Sequence, residues 1–97
     1  MPFANFTPYS FSTSSVSNNA PHASGVYGLS NAREWVFVGE TDDIRGALLI
    51  HLKESHTHLK NRAPTGFTFE LCAAPGRAAR QDRLVLELEP VCNRRSH

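Results

Sequence analysis

The chain has 97 residues, is 40% hydrophobic and 20% charged, and sets 10 Lys and Arg against 9 Asp and Glu, a formal net charge of +1. That length fits one small domain with a thin core, which excludes a second buried core or a large enclosed ligand cavity. The near-neutral balance shows no overall basic excess of the kind expected of a protein that lives on phosphate contacts, and no run approaches the ~18 to 20 consecutive apolar residues of a membrane span.

Residues 1–24 are rich in Ser, Asn, Thr and Pro with Phe3, Phe6, Tyr9 and Phe11 spread among them. The composition predicts a loosely draped arm over 1–20, although the alternation of Tyr9, Phe11 and Thr13 also fits an extended edge segment. From Gly25 the texture changes. The runs 25–30 (GVYGLS) and 35–40 (WVFVGE) are β-branched and aromatic, and the four residues between them make a hairpin. Trp35, beside the turn, is expected to pack across the strands.

Thr41 or Asp42 is the expected N-cap of a helix over about 42–54, on which Ile44, Ala47, Leu48, His51 and Leu52 recur at helical spacing. The polar, His-rich stretch 55–66 is closed by Pro64 and Gly66, with room for one turn around 58–62. Residues 67–72 (FTFELC) read as a third strand. Pro75 and Gly76 break it, and Gln81, Leu84, Val85 and Leu88 then trace one face of a second helix that stops at Pro90. Arg80, Arg83 and Glu87 fall on the opposite stripe, which is expected to be solvated, as is Arg77. Cys72 and Cys92, the only cysteines, have no zinc-site spacing and are read as reduced and structural. The first basic residue is Arg33, so nothing resembles the charged start of a secretory signal, and a cytoplasmic protein is expected.

The order strand, strand, helix, strand, helix carries a resemblance. Gly25-Val26-Tyr27, then Phe37-Val38-Gly39-Glu40-Thr41, a helix with His51, and a last helix ending in Leu84, Val85, Leu88, Pro90 and Asn93 resemble the landmarks of a GIY-YIG nuclease domain, in register over about residues 21–93. The resemblance implies an α+β fold, β-β-α-β-α, with a small mixed three-stranded sheet flanked by helices. It also implies a GIY-YIG-like domain (21–93), set between the Ser/Asn-rich N-terminal arm (1–20) and a short basic tail (94–97), and cleavage of DNA phosphodiester bonds assisted by Mg²⁺ or Mn²⁺.

Carried over position by position, Tyr27 matches the first-motif tyrosine that orients or activates water, and His51, twelve residues past Gly39, matches the helix histidine. These two are the expected catalytic residues. Phe37 takes the place of the second tyrosine, keeping the ring and losing the hydroxyl. Eight residues past Gly39, where the family keeps an arginine, stands Ala47; Arg45 is two positions earlier, about 200° around the helix. Gln81 stands where the metal-binding glutamate is expected, with Asp82 next to it but about 100° away. Phe37, Gly39, Arg45, Gln81 and Asn93 are the expected site-lining or nucleic-acid-binding residues. Asp82 or Glu70 is the candidate carboxylate for the metal.

Phosphodiester hydrolysis needs an activated water, a divalent cation and a positive donor to the transition state. Two of the three are altered here, which implies a nuclease-like domain with weakened or lost activity. A non-catalytic module that binds nucleic acid on the same surface is the alternative. The more apolar surface left by Phe37 and Ala47 makes a protein partner or a homodimer a third reading.

Overall fold

The computed structural model describes residues 8–53 and 64–92. Its elements are β1 (Tyr9–Ser10), α1 (Thr13–Asn19), β2 (Gly25–Ser30), β3 (Trp35–Thr41), α2 (Ile44–Lys53), β4 (Gly66–Leu71) and α3 (Ala74–Leu88). The strands form one sheet in the order β1-β4-β2-β3, and every neighbouring pair is antiparallel. The expected mixed, three-stranded sheet is corrected on both points. β4 runs in the same direction as β3 but lies on the other side of β2, so no parallel pair forms, and β1 adds a fourth strand.

β2 is the central strand of the fold. Gly25 to Leu29 are all buried, because strands flank β2 on both edges and helices cover both faces. Tyr27 lies opposite Gly39 of β3 and Phe69 of β4. Side chains alternate along each strand, so Tyr27, Leu29, Phe37, Gly39, Phe67 and Phe69 share one face while Val26, Val38, Glu40, Thr68 and Glu70 share the other. On the first face Tyr27, Leu29 and Phe67 pack with Val16 and Ala20 of the α1 segment and with Ile44 and Leu48 of α2. On the second, Val26 and Val38 pack with Leu84 of α3, and Trp35, Val85 and Leu88 close around them. Leu29 pairs with Phe37 but Ser30 with Trp35, so Val36 is the extra residue of a bulge and joins the α1–α2 core.

Residues 9–20 are not a draped arm. Tyr9 takes the edge position on β4, its ring tilted against Phe67 at 5.3 Å between centroids and stacked on Phe69 at 6.0 Å. Ser12 then caps α1 by accepting from Ser15 N–H, and Val16 is fully buried. This helix escapes a sequence reading because only Val16 and Ala20, one turn apart, carry its burial.

The N-cap of α2 is Asp43, not Thr41 or Asp42. Its Oδ1 accepts from Gly46 N–H at 3.1 Å, whereas the Thr41 hydroxyl accepts from Asp43 N–H and shapes the preceding turn. A Cβ on Gly46 would lie 2.5 Å from Asp43 Oδ2, so this glycine makes room for the cap. The other first-turn amides are also satisfied: Ile44 donates to Ala23 O, Arg45 to Pro21 O and Ala47 to Asp43 O. Hydrogen bonds to His22 and to the Gly46 amide hold the Asp43 carboxyl below its ordinary range.

α3 is longer than its apolar periodicity suggests. It begins at Ala74 with Pro75 in the first turn and ends before Glu89, whose φ of 50° is left-handed. Its first half turns Arg77 and Arg80, rather than apolar residues, toward the sheet. Arg80, expected on the solvated stripe, instead grips Glu70 through Nε (2.7 Å) and Nη2 (2.8 Å). The turn expected around 58–62 lies outside the described residues.

If residues 9–20 are integral to the core, Val16→Ala should cost about 2 kcal/mol of stability, measured by urea unfolding. An unchanged midpoint would mean that α1 contributes nothing to the folded unit.

Candidate functional site

The site grows from the Tyr27–Gly39 pairing. A Cβ on Gly39 would lie 2.7 Å from Tyr27 Oη and 2.9 Å from Phe37 Cε2. The missing side chain therefore lets the Tyr27 ring lie flat across β3 with Phe37 beside it. Glycine is needed here for close approach, not for a turn, since its φ is not positive.

His51, in the last turn of α2, closes the arrangement from above. Its Nε2 lies 2.7 Å from Tyr27 Oη, and its ring meets Phe37 at 5.3 Å and Tyr27 at 5.6 Å between centroids. Phe37 and Tyr27 are 6.1 Å apart. Three rings thus fix one another, and the helix histidine and the strand tyrosine form a hydrogen-bonded pair. Tyr27 is 5% exposed, and burial pushes its phenol well above the ordinary range. At neutral pH the phenol is protonated, so with a neutral imidazole Oη–H donates to Nε2.

The remaining expected residues are placed less closely. Arg45 turns away, its Nε donating to Ala20 O at 2.7 Å, and so ties the chain after α1 to α2. Ala47 packs against the core. Gln81 reaches β3 from the opposite face of the sheet, its Nε2 donating to Val38 O at a long 3.4 Å. Tyr27 and Gln81 therefore approach the Val38–Gly39 link from opposite faces. Asp82 is exposed on α3. Glu70 is on the α3 face, away from Tyr27, and its two oxygens are gripped by Arg80. Asn93 lies outside the described residues.

Sequence reading missed a second ion pair on that face. Arg77 Nε donates to Glu40 Oε1 at 2.8 Å, and Arg77 Nη1 to Ser24 Oγ at 3.0 Å. Ser24 Oγ in turn donates to Cys72 O at 2.6 Å. The only signal available was that Glu40 follows Gly39 and so must face α3. Among the described residues no three His, Cys, Asp or Glu converge, and the carboxylates of Glu40 and Glu70 are bound by arginines.

No protein-family model matches the chain, and no curated protein does. Solved structures do. Two crystal structures of the GIY-YIG N-terminal endonuclease domain of UvrC from Thermotoga maritima superpose with a TM-score of 0.68, each covering 79% of this chain and 89% of theirs, at 16% and 15% identity. Both are tyrosine-to-phenylalanine point mutants bound to a catalytic divalent cation. The chain has the GIY-YIG nuclease-like fold.

Because folding favours the neutral phenol, the stability Tyr27 lends is intact below the ordinary phenol range and is lost as pH rises through and beyond it. Between about pH 9 and about pH 11 the urea midpoint of the native chain should fall more steeply than that of Tyr27→Phe. Parallel curves would contradict a buried phenol.

Proposed function

We propose that the chain is a GIY-YIG nuclease-like domain directed at DNA, in which metal-dependent phosphodiester hydrolysis is weakened or lost. The observation that carries this reading is the 2.7 Å pair of Tyr27 and His51 on a GIY-YIG scaffold. It keeps the proton-handling half of the chemistry. A neutral phenol accepts a proton from water only while passing its own to a base, and His51 Nε2 is that base. Protonating the imidazole removes the acceptor, so any residual activity should fall on acidification.

The charge-stabilising half is what has gone. Ala47 offers no cation to the developing negative charge, an omission that costs about 10²- to 10³-fold by analogy with loss of one oxyanion donor. Of the carboxylates weighed from sequence, Glu70 is tied to Arg80 and Asp82 stands exposed on α3. The UvrC domain is described as bound to a catalytic divalent cation, whereas here Gln81 stands where the resemblance expects the metal-binding glutamate.

Supercoiled and branched DNA incubated with a large excess of the purified chain should show no nicking in Mg²⁺. Any trace in Mn²⁺ should vanish in Tyr27→Phe. Turnover in Mg²⁺ that disappears in Tyr27→Phe would overturn the claim of a degenerate site.

A further inference from the structure

α3 meets β3 through two contacts one helical turn apart. Arg77 donates to Glu40, and Gln81, four residues later, donates to the Val38 carbonyl. Val38 and Glu40 are two apart on β3 and share a face, so helix and strand run in step, Arg77 over Glu40 and Gln81 over Val38. The position at which the family resemblance expects a metal-binding carboxylate therefore holds a hydrogen-bond donor, and the adjacent turn holds a permanent positive charge. A guanidinium cannot shed its proton to make way for an ion. Arg77 is fixed twice, by Glu40 and by the Ser24 hydroxyl, with its side chain only 20% exposed.

We propose that Arg77, the cation one turn before Gln81 and over Glu40, excludes a divalent ion from the space between them, so that the change at Gln81 is not by itself the reason for the missing metal site. The inference rests on the reading of this domain as a degenerate GIY-YIG nuclease. A carboxylate restored at position 81 lies at i, i+4 from Arg77 and pairs with it. The Glu40 carboxylate is already taken, and the nearby guanidinium charge opposes the approach of a doubly charged ion. Restoring a site requires two changes, a carboxylate gained and a cation removed, after which Glu40 and the new carboxylate face the same space without an arginine between them.

The test is Mn²⁺ binding to the full chain, followed by electron paramagnetic resonance with no DNA present. The native chain and Gln81→Glu should show no saturable binding up to about 1 mM free Mn²⁺. Arg77→Gln combined with Gln81→Glu should bind one ion, at least about tenfold more tightly than Gln81→Glu alone. Glutamine at 77 keeps a donor toward Glu40 and Ser24, and thermal melts by circular dichroism check that α3 stays docked. Arg77→Lys combined with Gln81→Glu keeps the charge and should bind no better than the single variant.

Saturable binding by the native chain or by Gln81→Glu overturns the proposal, as does a folded Arg77→Gln, Gln81→Glu chain that binds nothing. Should that double variant not fold, Arg77→Met combined with Gln81→Glu takes its place, one bound ion upholding the proposal and none overturning it. Because DNA is absent, the outcome separates from that of the cleavage assay. A chain that binds Mn²⁺ yet cuts nothing refutes only this inference, and one that cuts without binding Mn²⁺ refutes only the functional reading.

Discussion

A tyrosine lies across a glycine at the middle of the sheet, and the site is built outward from that contact. Without a side chain at Gly39, the Tyr27 ring extends over β3, its hydroxyl reaches His51, and Phe37 fills the space beside both rings. α2 must then lie where its last turn meets β2. Its start is fixed independently by Asp43 and by the carbonyls of Pro21 and Ala23. Both ends of the helix that carries His51 are thus determined by residues far apart in sequence, one set before β2 and one within it.

The parts legible in the sequence were those whose burial follows a simple period. β2, β3 and β4 show as β-branched and aromatic runs, and α2 as Ile44, Ala47, Leu48 and His51 at helical spacing. The nearness of Tyr27 and His51 came only from the spacing of landmarks between Gly25 and His51. Elements whose inward residues are not apolar were illegible. The first half of α3 faces the sheet with Arg77 and Arg80, which look like a solvated stripe until Glu40 and Glu70 are found beneath them. α1 buries Val16, and Ala20 just past its end, within a Ser- and Asn-rich segment, so composition hides it. The Asp43 cap was missed by one residue, because Thr41, Asp42 and Asp43 are all competent caps and only the backbone path decides among them.

Charge is distributed unevenly between the two faces of the sheet. The Tyr27 face is built largely of rings and aliphatic side chains around the hydrogen-bonded Tyr27–His51 pair. The α3 face carries two arginine–carboxylate pairs over a small apolar center of Val26, Val38 and Leu84. Both pairs are partly buried, Arg80 gripping Glu70 with two bonds and Arg77 also donating to Ser24, and together they fix the helix's position along the strands. The basic character of residues 77–80 is thereby neutralised within the fold, and the GIY-YIG scaffold is retained while the charged groups on one face serve packing.

The outer edge of β3 is closed by parts of the same chain. Val91 and Cys92 donate to the carbonyls of Trp35 and Val36, and Gln81 to that of Val38. A seven-residue strand at the end of a sheet would otherwise offer a template for another strand. With these three acceptors engaged, a second copy or an extended peptide must first displace the segment after α3 before it can add to the sheet. Strand addition along this edge therefore has to compete with bonds the chain already makes to itself.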